Sequence, residues 1–292
     1  MKQLVNRNIV IFSSVDWDTH KQLHHELTEF LIKRNNKILF VENTGSRSFE
    51  AKDMSRVKNR IINFIKSKKG FRSLKKNLTI FSPLFIPFHY NFFIQKFNNF
   101  IVSDAIISWS KYFNFDDTIV INFVPNPITY SITKNLDPSY KVYYMADDMT
   151  SGDKKRLDIE NKIMKFSDLI FYTSENLKKK IIYKSKSEFL PNGVNFNLFN
   201  QNFKRKKNFK NKSFNIGYVG AIREIINENL LIKIAKKFPK DKIFLLGPVL
   251  HNFKKFDKLK NIKFLGYKKH SDIPKYLNEF DVGIIPYKVN NF

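Results

Sequence analysis

The chain has 292 residues, enough for two α/β domains of ordinary size, and its 42% hydrophobic and 15% aromatic content, with 31 Phe, excludes a globally disordered protein. It has no Cys, which excludes a disulfide framework, thiolate metal sites and cysteine nucleophiles and fits a reducing compartment, the cytoplasm. The formal charge of +26, from 52 Lys plus Arg against 26 Asp plus Glu, makes anions the natural partners: nucleotide diphosphates, anionic lipids or nucleic acid.

Residues 8–13 (Asn-Ile-Val-Ile-Phe-Ser) read as a strand whose apolar part is too brief for a signal-peptide core. A helical pattern follows over 22–33, with Leu23, Leu27, Phe30 and Leu31 on one face, and 37–41 (Lys-Ile-Leu-Phe-Val) resumes as a strand. Such a β-α-β unit closes as a parallel pair, and ligands collect at the carboxyl ends of its strands. Residues 52–76 are basic with interleaved Val57, Ile61, Ile62, Phe64 and Ile65, and the aromatic stretch 81–100 comes after them. The basic segment reads either as an amphipathic helix for an anionic membrane surface or as a solvated helix with a core-facing stripe. The longest uncharged run, 77–95, is broken by Pro83 and Pro87, which argues against a membrane-spanning helix.

Further strands are expected at 78–82, 118–123, 141–145 and 169–173, each a short apolar run of the kind found in sheets covered on both faces. The basic, aperiodic segment 200–213 marks a linker. The alternation then restarts with strand 214–219, helix 228–238, strands 242–246 and 262–265, helix 273–280 and strand 282–286. The expected organisation is a first α/β domain over 1–199 and a second over 214–292.

Leu190-Pro191-Asn192-Gly193-Val194-Asn195 alone reads as a turn, because Asn-Gly favours positive φ. It is followed in order by Ile216-Gly217-Tyr218-Val219-Gly220-Ala221-Ile222, Phe244-Leu245-Leu246-Gly247-Pro248, Phe264-Leu265-Gly266-Tyr267 and Phe280-Asp281-Val282-Gly283-Ile284-Ile285-Pro286-Tyr287. This series resembles the ordered blocks of glycosyltransferase family four, and within it the branch that builds teichuronic-acid and capsular polysaccharides. Asp16-Trp17-Asp18, Phe40-Val41-Glu42-Asn43 and Tyr143-Tyr144-Met145-Ala146-Asp147-Asp148 are similar too.

The resemblance implies a GT-B fold, with two Rossmann-like α/β domains facing across a cleft, the first for the acceptor and the second for the donor. It implies hexosyl transfer with retention from a nucleotide-diphosphate sugar to a glycan or lipid-linked acceptor, in the cytoplasm or against the inner face of the membrane, without cofactor or metal. Family members continue past the Pro-Tyr block into a helix carrying a Glu pair that grips the donor. By that comparison the second domain is incomplete, and a non-catalytic remnant is one alternative. A basic nucleic-acid binder is another, but no helix-turn-helix, finger or RNA-binding signature supports it, and no nucleic acid is expected as a partner.

Gly217 and Gly220 suit close backbone approach of a diphosphate at a strand-to-helix turn, with Arg223 adding charge; an ordinary tight turn is the plain alternative. The relatives' downstream Lys is replaced by Glu224-Ile225-Ile226-Asn227. By resemblance Gly247, Tyr267, Pro286 and Tyr287 line the donor pocket, though such residues also simply end strands. Asp147 and Asp148 fit either an acceptor-hydroxyl contact that takes its proton or an N-cap for the next helix. Asp16, Asp18 and His20 stand where relatives contact the acceptor, and Asn126 stands where relatives carry a His. Apart from Asp16-Trp17-Asp18 in the first β-α loop no Asp-x-Asp spacing occurs, and no cluster has metal-ligand spacing.

Overall fold

In β1 (Asn8–Phe12) alternate side chains enter two different cores: Ile9 and Ile11 pack on one face of the sheet, Val10 and Phe12 on the other. β2 (Lys37–Val41) repeats the division, Ile38 and Phe40 against Leu39 and Val41, as the period-two geometry of a strand requires. The computed structural model describes residues 4–19, 21–42, 62, 70–84, 86, 91–148, 154–201 and 213–289, so His20, most of the basic segment 52–76 and the linker positions 202–212 lie outside the described residues.

The chain divides into two compact units, Met1–Gly193 and Val194–Phe292. The first also contains α1 (Leu23–Ile32), β3 (Phe71–Lys75), β4 (Leu78–Phe81), α2 (Phe92–Tyr112), β5 (Thr118–Asn122), α3 (Pro127–Leu136), β6 (Tyr140–Met145), α4 (Lys154–Phe166), β7 (Leu169–Tyr172), α5 (Glu175–Lys178) and β8 (Ser187–Phe189). Its eight-stranded sheet runs β3-β4-β2-β1-β5-β6-β7-β8, parallel except for the edge pair β3–β4. Leu31 of α1 joins the core on one face; Val102 and Ile106 of α2 with Ile128 and Ile132 of α3 fill the other. Each buried side chain of this kind stabilises by about 1.5–3 kcal/mol relative to exposure, which makes the doubly covered sheet the stable arrangement.

Strand order reverses between β1 and β5, which pair with each other while the chain leaves β1 toward β2 on the opposite side. In open α/β sheets the carboxyl ends at such a reversal form the natural ligand crevice.

The second unit holds α6 (Phe196–Phe199), β9 (Asn215–Val219), α7 (Glu228–Lys237), β10 (Lys242–Leu246), β11 (Ile262–Gly266), α8 (Ile273–Glu279) and β12 (Val282–Gly283), with a parallel sheet in the order β11-β10-β9-β12. β12 is shorter than the expected 282–286. Beyond it the chain turns onto the β9–α7 loop, where Pro286 accepts the Asn227 N–H at 2.7 Å and Ile225 accepts that of Lys288 at 2.8 Å.

α1 keeps Leu23, Leu27 and Leu31 against the core as expected and differs at Phe30. His24, His25, Thr28 and Leu31 are buried, whereas Phe30 points outward beneath the Arg34 guanidinium, 3.7 Å from its ring centroid.

Candidate functional site

The β1–α1 loop is shaped from below by Glu42, which follows β2 and is almost fully buried. One carboxylate oxygen accepts the Trp17 N–H at 2.9 Å and an Arg72 N–H at 3.3 Å; the other accepts the Ser82 hydroxyl at 2.6 Å. Burial pushes the Glu42 carboxyl up, more than the Ser82 hydrogen bond and the Arg72 charge pull it down. Arg72, from the edge strand β3, also reaches Asp18 at 2.6 Å. Asp18 is therefore exposed but held, and the half-buried Asp16 turns the loop by accepting the Thr19 hydroxyl through its backbone carbonyl at 2.6 Å.

Two histidines complete this end of the unit. His25 accepts the Gln22 N–H on Nδ1 at 3.1 Å, so its proton sits on Nε2 and is donated to the Trp17 carbonyl, also at 3.1 Å. His24 places Nε2 3.1 Å from the Ser14 hydroxyl, its ring 4.2 Å from that of Phe123, and its buried Nδ1 has no partner among the described residues. Burial drives the His24 imidazole down to about 4, with His25 adding to the effect, so it is neutral at pH 7.

Across the strand reversal, Asn126 is 2% exposed and its side-chain oxygen caps α3 by accepting the Thr129 N–H at 2.8 Å. The expected acceptor contact through Asn126 is thereby corrected: the oxygen is occupied by the helix and lies beneath the surface. Asp147 and Asp148 follow β6 and are exposed, but they differ, since Asp148 forms an ion pair with Lys180.

In the second unit three glycines with positive φ end three adjacent strands: Gly220 at +156°, Gly247 at +149° and Gly266 at +68°. Gly220 donates to Leu246 at 2.9 Å and Gly247 donates to Gly266 at 3.0 Å, so the strand tips are tied main chain to main chain. A Cβ on Gly247 would lie 1.9 Å from the Gly220 carbonyl oxygen, which no side chain permits. Past Gly220 the amide of Ile222 donates to Pro248 at 2.9 Å, while the alternating amides of Ala221 and Arg223 have no carbonyl partner among the described residues. The Tyr218 hydroxyl supports this turn by donating to the Ala221 carbonyl at 3.0 Å, and burial pushes its pKa up, which keeps it protonated.

Gly217 is corrected as a diphosphate contact. It lies inside β9, and the volume its Cβ would take is filled by the Phe280 ring, with the nearest ring carbon at 1.9 Å; core packing alone requires glycine there. Pro286 is corrected too, being buried beneath the loop it fastens. Tyr267 is exposed just beyond β11, Arg223 is exposed on the β9–α7 loop, and Tyr287 lies with its hydroxyl 3.4 Å from that of Tyr218.

Solved structures similar in shape share this architecture. HepE of Anabaena, in complex with UDP and glucose, superposes with a TM-score of 0.61 at 13% identity, over 95% of this chain and 73% of that one. A glycosyltransferase of Rickettsia africae ESF-5 gives 0.63 at 15%, over 97% and 73%, and a trehalose-6-phosphate protein of E. coli bound with UDP-2-fluoro glucose gives 0.59 at 11%, over 95% and 77%.

The fold is GT-B.

At these identities the likeness speaks for the fold alone. No protein-family model matches the chain. In sequence, the proposed teichuronic acid biosynthesis glycosyltransferase TuaH of Bacillus subtilis (strain 168) is 26% identical over 141 residues, 44% of this chain and 36% of TuaH, so the match spans about a third of that relative's length. Within the GT-B fold, Glu42, Arg72 and His24 are the site-building residues that sequence reasoning missed. The available signal was the Phe40-Val41-Glu42 block, a carboxylate at the end of an otherwise apolar strand.

Proposed function

We propose that the chain is a glycosyltransferase that moves a hexosyl group, with retention, from a nucleotide-diphosphate sugar to a glycan or lipid-linked acceptor in surface polysaccharide assembly. The carrying observation is the glycine-ended ladder of β9, β10 and β11. Its strand tips carry positive-φ glycines at Gly220, Gly247 and Gly266, and in the turn after Gly220 the Ala221 and Arg223 amides have no carbonyl partner among the described residues, with Arg223 itself exposed on the same loop. Charge that develops on a departing diphosphate is stabilised by such fixed N–H dipoles and a guanidinium.

The downstream Lys of similar enzymes is replaced here for structural reasons, because Ile226 is fully buried and Asn227 caps α7 by accepting the Leu230 N–H at 3.0 Å. Arg223 is therefore the residue that meets the diphosphate. Tyr267 and Tyr287 flank the nucleoside, and Asp147, the member of its pair that carries no ion pair to Lys180, addresses the acceptor hydroxyl together with Asp16 and Asp18. No cofactor or metal takes part. The reaction belongs to the cytoplasm, against the inner face of the membrane when the acceptor is lipid-linked.

UDP is the probe, since HepE holds it. Titration calorimetry with UDP, then release of UDP from UDP-glucose in the presence of a polyprenyl-linked glycan, tests the proposal. Binding that Arg223→Ala weakens and Lys180→Ala leaves unchanged supports it; absence of binding to uridine, adenosine and guanosine diphosphates alike sinks it.

A further inference from the structure

α2 meets the core through Val102 and Ile106, yet over its first three turns its solvent face is apolar as well. Its buried residues include Asn98 and Ser103, and the Asn98 amide grips the Ile86 backbone from both sides, donating to its carbonyl and accepting its N–H, each at 2.8 Å. Facing solvent are Phe92, Phe93, Phe97, Phe100 and Ile101, with Phe93 79% and Phe100 72% exposed. On a 3.6-residue helix these five side chains form one face, about 14 Å long at 1.5 Å per residue. Lys96 stands within it, its ammonium 4.5 Å from the Phe92 ring centroid. Single exposed apolar residues are ordinary, but a continuous stripe of five on a helix whose other side already packs into the core marks an interaction surface.

We propose that this face of α2 docks on the surface of an anionic lipid bilayer, with its rings in the boundary between headgroups and acyl chains and the Lys96 ammonium reaching a lipid phosphate. The apolar stripe matches the acyl boundary, and the cation within it matches the charge above. The whole chain carries +26, which draws it to an anionic surface and repels a second copy of itself. A nucleic acid would call for a row of cations tracking its phosphates, and the stripe holds one. Among the described residues no helix is long and apolar enough to cross a membrane, so the contact is with the surface. The proposal names the membrane-facing element of the transferase read above, yet it needs no donor and survives the failure of that reading.

The test is flotation of the full chain with vesicles of phosphatidylcholine alone and of phosphatidylcholine mixed with phosphatidylglycerol, without nucleotide. The chain is expected to float with the mixed vesicles and to be partly released as salt rises. The double variant Phe93→Ser/Phe100→Ser is expected to lose at least about tenfold in partition, two ring contacts' worth, with an unchanged melting temperature because both rings are exposed. Should that variant not fold, Lys96→Glu on the same stripe takes its place, with a several-fold loss confined to the anionic vesicles. Flotation of a folded variant equal to that of the parent overturns the proposal. So does a parent that ignores both vesicles, and so does concentration-dependent self-association or oligonucleotide binding that the double variant abolishes, each of which assigns the face to a different partner.

Discussion

At the strand ends of the first unit the polar contacts are made by side chains. Glu42 gathers Trp17, Ser82 and Arg72; Asn126 caps α3; His25 closes the β1–α1 loop onto Trp17. At the strand ends of the second unit glycines bring main chain against main chain, Gly220 to Leu246 and Gly247 to Gly266. A surface made of fixed side chains offers shaped, residue-specific contacts, which suits a varied acceptor. A surface made of peptide dipoles offers general affinity for oxyanions, which suits the diphosphate of a nucleotide-diphosphate sugar. Under the transferase proposed above the first end serves the acceptor and the second the donor, and each contrast has a variant that breaks it.

The largest effect is expected at Gly247→Ala. The added methyl meets the Gly220 carbonyl oxygen at 1.9 Å and the residue is held at φ +149°, so about 3–4 kcal/mol of stability is lost, read as a lowered urea midpoint. Gly217→Ala clashes equally closely, but with the Phe280 ring, and combining it with Phe280→Ala is expected to recover most of the loss together with UDP affinity. If the double variant regains stability and still fails to bind UDP, Gly217 contacts the donor after all.

Next in size is the acid behaviour of the first unit, where two buried groups oppose each other. His24 titrates near 4 in the folded chain against 6.5 unfolded, so between these values the unfolded chain binds the extra proton. Its contribution is full above pH 6.5 and is lost as pH falls toward 4, amounting to about 3 kcal/mol. Glu42, raised above 4.5, has the reverse sign: the folded chain holds the extra proton, and stability declines as pH climbs from 4.5 toward the raised value. Denaturant melts at several pH values are expected to show His24→Asn flattening the acid loss and Glu42→Gln removing the opposing decline. A His24→Asn profile that still falls between pH 6.5 and 4 as steeply as the parent's contradicts the burial argument.

How much of this was legible beforehand follows the same division. Strands such as 8–13 and 37–41 announce themselves because β-branched and aromatic runs covered on both faces carry no polar interruption. β3, Phe-Arg-Ser-Leu-Lys, was hidden: an edge strand tolerates charge, and its antiparallel pairing with β4 depends on a hairpin rather than on composition. α2 gave no helical signal because its solvent face is as apolar as its buried one, so there was no contrast to read. Gly220 and Gly247 could be found from the blocks, since a backbone demand is local. The role of Glu42 could not, because its partners Trp17, Arg72 and Ser82 lie 25, 30 and 40 residues away and only the fold assembles them.

Arg223→Ala isolates the donor half of the comparison. The side chain is exposed, so stability is expected to change by less than about 0.5 kcal/mol, while UDP affinity falls by about 1.5–3 kcal/mol, a charge-assisted contact's worth. Equal affinity for UDP in the variant removes the guanidinium from the site and leaves the turn amides alone to hold the diphosphate.

The smallest expected effect divides the acidic pair at the end of β6. Asp148 is joined to Lys180 on the surface, where such a pair stabilises by about 0–1 kcal/mol, so Asp148→Asn is expected to leave both melting temperature and turnover near the parent's. Asp147→Asn touches no such pair, and if Asp147 addresses the acceptor hydroxyl it lowers turnover about a hundredfold while UDP affinity stays the same. The informative result is the ratio of the two variants, because they are adjacent, isosteric and equally exposed to any general loss of negative charge. A drop in turnover shared by both reports the electrostatics of the loop, whereas a drop confined to Asp147 reports a hydroxyl contact. A drop confined to Asp148 means that the Lys180 pair, rather than either carboxylate alone, sets the geometry at that strand end.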